Sequence, residues 1–146
     1  MGLPNLAVLV LAIASVICLT IPNLSLADDS PNDYLKPHNV AREHAKVDPL
    51  DWNKKLAQYA EQSAGKCGKG SYDGHYGVNV YKGRRVTAFD AVKEWTKCKQ
   101  GGCSSDYKQV VWPRTKWLGC ARHHCQDRRG EYYFIVCYYD PPASKH

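Results

Sequence analysis

The chemically versatile side chains of this chain are its cysteines and histidines, because thiolates and imidazoles can bind metals, act in catalysis or, for cysteine, form disulfides. Two cysteine pairs enclose four residues each, Cys98-x4-Cys103 and Cys120-x4-Cys125, and His123 and His124 lie inside the second pair. This cluster could hold zinc in a reducing compartment and would form disulfides in an oxidising one. The first question is therefore which compartment the chain occupies.

The first 27 residues predict an oxidising compartment. They contain no charged side chain, an apolar run from Leu6 to Leu19 and a small-residue site, Ser25-Leu26-Ala27, just before Asp28. This pattern is typical of a secretory signal peptide cleaved after Ala27, and a membrane anchor is the alternative. Cleavage also removes Cys18, so that seven cysteines become six in one domain of residues 28–146. We expect a secreted protein with three disulfides and no metal site.

Catalytic interpretations have less support from the sequence. A cysteine nucleophile with His38 or His44 as its base needs an unpaired thiol, and six paired cysteines leave none. No Gly-x-Ser-x-Gly sequence indicates a serine hydrolase, and turn positions explain Ser71, Ser104 and Ser105. We therefore expect a protein without enzymatic activity and without a cofactor.

One disulfide can be predicted from strand pairing. Three apolar, β-branched runs, 107–112, 117–125 and 131–139, are separated by Pro113 and by the cluster 127–130, and they predict three adjacent strands. If the last two pair about Arg128 and Arg129, opposite positions sum to 257, which places Cys120 across from Cys137. Cross-strand Cβ atoms lie about 4.5 to 5.5 Å apart, close enough for a disulfide after slight adjustment.

The charges of the chain favour anionic partners. All 20 basic and 14 acidic residues follow the leader, so the mature chain keeps the formal net charge of +6. Such a surface suits an acidic polysaccharide or phospholipid headgroups, or it simply keeps a secreted domain soluble. The segments Lys82-Gly83-Arg84-Arg85 and Arg128-Arg129 are the candidate contacts, although charged loops are usually just solvated. We expect no nucleic-acid partner and a monomer.

Three helices precede the predicted strands. The first begins with a capping Ser30 and Pro31, and Pro37 means that it either starts later or kinks. Asn53 caps a second, whose apolar stripe ends at Cys67, and residues 87–95 form a third. A loop with room for one short strand fills residues 65–83. Helices followed by strands indicate an α+β fold with helices packed on an antiparallel sheet.

Several segments carry a resemblance to a known family. The sequence resembles plant pathogenesis-related protein 1 of the CAP superfamily from about residue 33 to 142. The most specific segments are Tyr107-x-Gln109-Val110-Val111-Trp112, Leu118-Gly119-Cys120-Ala121-Arg122 and Cys137-x-Tyr139-Asp140-Pro141-Pro142. The resemblance implies an α-β-α sandwich, secretion to the apoplast or vacuole, and defence against pathogens with sterol or lipid binding. It also implies the disulfides Cys67–Cys125, Cys98–Cys103 and Cys120–Cys137.

The metal-binding tetrad of that family is degenerate in this chain. The resemblance implies two histidines and two glutamates in a cleft, a ligand set suited to a divalent metal. Ser71 or a neighbour stands at the first histidine position, Val78 at a glutamate, and Asp106 at the second histidine, while the other glutamate falls within a deletion. His75 is near enough to the missing positions to be considered as a substitute.

The degenerate tetrad leaves three functional hypotheses. The first is a secreted, non-enzymatic defence protein that binds a sterol, lipid or pathogen component. The alternatives are a hydrolase, as proposed for some CAP proteins, and a structural or interaction domain with no small ligand. A C-terminal defence peptide is not expected, because after Cys137-Tyr138-Tyr139-Asp140 the sequence continues only from Pro141 to His146.

Overall fold

A computed structural model of the chain describes Gly2 and residues 29–144. Apart from Gly2, the predicted signal peptide of residues 1–27, with Cys18, lies outside the described residues. Among the helices that are described, none is both long enough and apolar enough to cross a membrane.

Helices and short strands alternate along the first part of the described chain, and two long strands close it. In chain order the elements are α1 (Pro31–His44), β1 (Asp51–Trp52), α2 (Lys54–Gly65), β2 (Gly77–Gly83), α3 (Ala88–Trp95), β3 (Cys98–Lys99), β4 (Gly102–Cys103), α4 (Ser105–Val110), β5 (Trp117–Asp127) and β6 (Gly130–Asp140).

The N-termini of the helices are fixed by the capping residues that the sequence predicts. The Asn53 side chain accepts hydrogen bonds from two backbone amides at the start of α2. Thr87 accepts one from the amide of Asp90 at the start of α3. The first helix begins at Pro31 and runs through Pro37 to His44, so its start is as early as the Ser30 cap indicates.

The central sheet has the strand order β1-β5-β6-β2. Strands β5 and β6 form an antiparallel hairpin with a two-residue loop, Arg128-Arg129, and Cys120 pairs with Cys137. This register confirms the predicted hairpin. Strand β2 lies antiparallel to β6, whereas the two-residue β1 is parallel to β5. The sheet is therefore antiparallel except at one short edge.

Strand β6 shows why the molecule has three layers. Its residues alternate between two cores, with Ile135, Cys137 and Tyr139 in one and Phe134, Val136 and Tyr138 in the other. The second core is completed by Leu56, Ala60 and Ala64 of α2, and the first by residues of α1, α3 and α4. Because both faces of β6 are buried, its sequence is almost continuously apolar. The α+β sandwich predicted from the sequence is confirmed.

The predicted strand over residues 107–112 is wrong. Most of that run belongs to the short helix α4, and the chain makes a turn at Val111. Ser104 explains the difference, since its side chain accepts a hydrogen bond from the amide of Tyr107 and caps the helix. Gln109 and Val110 are then buried on one side of α4.

Three disulfides connect the described elements. Cys67–Cys125 ties the end of α2 to β5, Cys98–Cys103 closes the β3–β4 hairpin, and Cys120–Cys137 joins the centres of β5 and β6. These are the pairs that the family resemblance implies. The bridge with the longest span, 58 residues, restricts the unfolded chain most in the loop-entropy description.

Candidate ligand-binding groove

The three degenerate cleft positions lie on different elements. Ser71 is exposed in the loop between α2 and β2, Val78 is half-buried in β2, and Asp106 is half-buried in the first turn of α4. Burial raises the pKa of the Asp106 carboxyl. His75 is exposed, and its Nδ1 lies 2.7 Å from Oδ1 of Asp73 in the same loop. In the part of the chain that the structure describes, no three His, Cys, Asp or Glu side chains are grouped to hold a metal ion.

A buried chain of hydrogen bonds links helix α1 to β6, β2 and α4. Nδ1 of His38 lies 2.7 Å from the carbonyl oxygen of Tyr34, and its Nε2 lies 2.8 Å from the hydroxyl of Tyr139. The Asn79 side-chain amide donates to that hydroxyl at 3.2 Å and to the backbone carbonyl of Asp106 at 3.1 Å. The network thus joins one helix face to the sheet in the middle of the larger core.

These contacts determine the tautomer of His38. A carbonyl oxygen only accepts, so Nδ1 must carry the proton and donate to Tyr34. The Tyr139 hydroxyl accepts a hydrogen bond from Asn79 and donates its own proton to Nε2, which satisfies every member of the network. His38 is fully buried. Its imidazole is therefore a neutral structural group with no access to a substrate, which removes it as a catalytic base.

The His38 network predicts a loss of stability in mild acid. Burial is the main cause that lowers the pKa of His38 to about 4, and the nearby Arg42 charge lowers it further, while the Tyr34 carbonyl opposes the shift. The unfolded imidazole has a pKa of about 6.5, so below that pH the unfolded chain binds more protons than the folded one. We expect the unfolding free energy to fall by up to about 3 kcal/mol between pH 6.5 and 4.

Urea unfolding at a series of pH values measures this effect. The variant His38→Gln should be less stable at pH 7 but should lose most of the slope between pH 6.5 and 4. The exposed His44 provides the matched control, because His44→Gln removes an imidazole and should keep the slope. An unchanged slope in His38→Gln would show that other groups cause the acid sensitivity.

A groove of about 890 Å³ lies between helices α1 and α3 and reaches α4 at Tyr107. Val40 and Ala41 of α1 face Phe89 and Val92 of α3 across it. Val40 is 48% exposed and Phe89 is 60% exposed, so two large apolar side chains of the groove lining are open to solvent. Ala88 also lines the groove, so its interior is largely apolar.

Charged and polar groups lie around the rim of the groove. Lys36 and Lys93 are exposed on α1 and α3, and His44 lies near the far end. At the opposite end the Asp29 carboxylate accepts hydrogen bonds from the Tyr34 hydroxyl and the Ala88 amide. The groove therefore has an apolar interior and a polar rim, the arrangement found in sites for small apolar ligands.

The groove does not coincide with the degenerate cleft. Ser71, Val78 and Asp106 do not line it, although Tyr107 is the next residue after Asp106. Helical periodicity assigns Ala88, Ala91, Val92 and Trp95 to the buried stripe of the third helix and gives no role to Phe89. A large apolar residue outside the buried stripe, Phe89, could have indicated from the sequence that this helix has a second apolar surface.

A disulfide-stabilised α-β-α sandwich with an open apolar groove defines a small domain of the CAP class. The chain belongs to the CAP family, because the family described as the cysteine-rich secretory protein family matches residues 35–139. Among its relatives are pathogenesis-related protein PRMS of Zea mays, at 38% identity, and the basic form of pathogenesis-related protein 1 of Nicotiana tabacum, at 39%. The first alignment covers 82% of this chain and 81% of the relative, and the second 82% and 75%.

Solved structures show the same fold. The crystal structure of MpPR-1i is 26% identical, with a TM-score of 0.60, and the match covers 81% of this chain and 94% of that one. The structure of NaASP2 with Zn²⁺ has a TM-score of 0.65 over 75% of this chain and 78% of its own, and at 19% identity that likeness shows the fold alone. The chain is thus a CAP protein of the pathogenesis-related protein 1 type.

Proposed function

We propose that this protein is secreted, to the apoplast or vacuole, and acts in defence by binding a sterol or another lipid in the groove between α1 and α3. The observation that carries the proposal is the exposure of Val40 and Phe89 on the two facing walls of an apolar groove. The names of the relatives in maize and tobacco support the assignment to defence.

The size and lining of the groove suit a lipid. Ligand sites in proteins typically measure about 300 to 1,000 Å³, and the groove lies within that range. Each Å² of apolar surface removed from water contributes about 25 cal/mol, so a ligand that covers Val40 and Phe89 and buries its own hydrocarbon would gain several kcal/mol. The rim lysines could meet a polar headgroup without entering the apolar floor.

We further propose that binding, and not catalysis, is the activity, and that the protein acts as a monomer without a cofactor. The six cysteines of the described chain are paired in disulfides, which leaves no thiol nucleophile among them. His38 is buried and neutral, and the exposed His75 pairs with Asp73 of its own loop. Hydrolysis that depends on metal and stops on chelation would contradict this part of the proposal.

Replacing the apolar walls of the groove should weaken sterol binding. In the double variant Val40→Ser with Phe89→Ser, we expect affinity for a labelled sterol to fall about tenfold to hundredfold, because apolar contact area is lost on both walls. The assay is competition of labelled sterol by unlabelled sterol, with lipid-free purified protein.

A matched control exists elsewhere on the surface. Val80 and Trp117 are exposed to 38% and 39% and lie outside the groove, so Val80→Ser with Trp117→Ser removes similar side chains. This control should bind sterol with less than about a threefold change. Absence of displaceable binding by the unmodified protein would contradict the proposal and would favour an interaction domain with no small ligand, while equal losses in both variants would exclude the groove as the site.

A further inference from the structure

Two charged loops meet at one end of the sheet. The first consists of residues 82–85, Lys-Gly-Arg-Arg, at the end of β2, and the second of residues 127–130, Asp-Arg-Arg-Gly, at the turn between β5 and β6. Together we call them the basic tip. An ion pair of 2.8 Å joins Lys82 to Asp127, and an Arg84 Nη2 donates to the backbone carbonyl of Arg129 at 2.9 Å. These two contacts hold the loops side by side.

Most of the net charge of the protein is concentrated at the basic tip. Its eight residues contain five positive side chains and one negative side chain, a net charge of +4 out of +6 for the whole sequence. Lys82 is paired with Asp127, and its ammonium also lies 3.8 Å from the centre of the Tyr132 ring. The four arginines are exposed, and in the described residues no carboxylate lies within ion-pair distance of their guanidinium groups.

We propose that the basic tip is a binding site for an acidic polysaccharide, whose uronate carboxylates would pair with the guanidinium groups of Arg84, Arg85, Arg128 and Arg129. A guanidinium presents a planar fork of donors that matches a carboxylate, so each pair combines charge with two hydrogen bonds. Exposed single pairs contribute little, but several on one polymer act together.

The shape of the tip fits an extended polymer. Strand β6 lies between β2 and β5, so the two loops span two strand spacings, or about 10 Å. The Arg84 guanidinium lies against the backbone of Arg129, so basic groups of the two loops lie next to one another across the tip. A linear chain with a carboxylate on each sugar can pair with several of these arginines at once, whereas a single small anion has fewer oxygens to pair.

The absence of apolar side chains in the tip favours a polysaccharide over a lipid surface as its partner. Peripheral membrane binding combines basic residues with apolar side chains that enter the bilayer. Every residue of the tip is charged or a glycine, so the tip contains no apolar side chain. The next residue, Val86, is buried. The exposed Phe89 belongs to the groove between α1 and α3. The tip therefore has basic side chains but no apolar side chain that could enter a bilayer.

Two variants with the same net charge test the proposal. The tip variant replaces Arg84, Arg85, Arg128 and Arg129 by Gln, and the control variant replaces Lys54, Lys55, Lys66 and Lys69, which are exposed elsewhere, by Gln. Binding to de-esterified polygalacturonate is measured by biolayer interferometry at about 50 and about 150 mM salt, with fully methyl-esterified polymer as the uncharged reference. We expect affinity to fall about tenfold or more in the tip variant and less than about threefold in the control.

Each outcome decides the question. If the tip variant and the control variant bind polygalacturonate equally weakly, binding depends on net charge alone and the proposed site is wrong. If the unmodified protein binds the esterified polymer as well as the de-esterified one, the proposed site is also wrong. Stronger binding to vesicles of phosphatidylserine and phosphatidylcholine than to polygalacturonate overturns the choice of partner. The inference does not depend on the lipid groove, and the tip variant should retain sterol binding, so the two proposals can fail separately.

Discussion

Replacing Arg42 by alanine is expected to lower the free energy of unfolding by about 4 to 5 kcal/mol. Arg42 is fully buried, and its guanidinium donates to four backbone carbonyls at 2.6 to 3.1 Å. These belong to Asp48, Val110, Trp112 and Thr115. Alanine would leave the Val110 and Thr115 carbonyls without this partner in the interior and would create a cavity, whereas the Trp112 carbonyl would keep its hydrogen bond from the Thr115 amide.

The carbonyls that Arg42 pairs explain why lysine cannot replace it. They come from the loop after α1, from the last residue of α4 and from the chain between α4 and β5. Burial lowers the pKa of Arg42, but a guanidinium remains charged and keeps its five donors. One ammonium reaches fewer of these oxygens, so Arg42→Lys should cost about 2 to 3 kcal/mol.

Urea unfolding at pH 7 measures these losses, with Arg85→Ala as the control. Arg85 is exposed, and its replacement should change stability by less than about 0.5 kcal/mol. If Arg42→Ala cost less than about 1 kcal/mol, the four carbonyls would have to find other partners, and the role assigned to Arg42 would be wrong.

Replacing Gly119 by valine should have a comparable effect, about 4 kcal/mol or a failure to fold. Gly119 lies in β5 where helix α2 crosses the sheet. A Cβ atom at this position would lie well inside 3.0 Å of backbone atoms of Leu56 and Ala57. Neither backbone can give way, since α2 is tied to β5 by the Cys67–Cys125 disulfide and β5 is paired on both sides.

A second glycine provides the comparison for Gly119. Gly65 ends α2, has open space within 4 Å of the point where a Cβ would lie, and does not have a positive φ. Gly65→Ala should be neutral or should stabilise by about 0.5 to 1 kcal/mol, because alanine restricts the unfolded chain. Thermal unfolding of both variants, followed by circular dichroism, makes the comparison. Similar stabilities would show that the helix can move away from the sheet.

Local sequence signals predict the hairpin and the helix starts because the interactions that fix them are local. The pairing of Cys120 with Cys137 requires only a loop that is symmetric about Arg128 and Arg129, and Asn53 caps its own helix within three residues. The segment after Ser104 differs from its prediction because its valines favour a strand, whereas the serine cap and the burial of Gln109 and Val110 favour a helix. Tertiary contacts decide between them, and these cannot be read from the segment alone.

The candidate site is harder to predict than the fold. The groove exists because α1 and α3, separated by more than 40 residues, lie side by side on one face of the sheet. Helical periodicity shows which residues of each helix are buried but not which helices are neighbours. The family resemblance directs attention to Ser71, Val78 and Asp106, which the structure places outside the groove.

The strand order also determines when the molecule can fold during its synthesis. The centre of the sheet is made of β5 and β6, the last two strands of the chain, and the earlier strands β1 and β2 occupy its edges. Until the ribosome has produced these last strands, α2 has no sheet to cover, and Cys67 has no partner before Cys125 emerges. The apolar helix faces therefore remain uncovered until β5 and β6 have been synthesised, and the central core can form only after that point. Under the proposed secretion, the Cys67–Cys125 disulfide would then form together with that core, in the oxidising compartment.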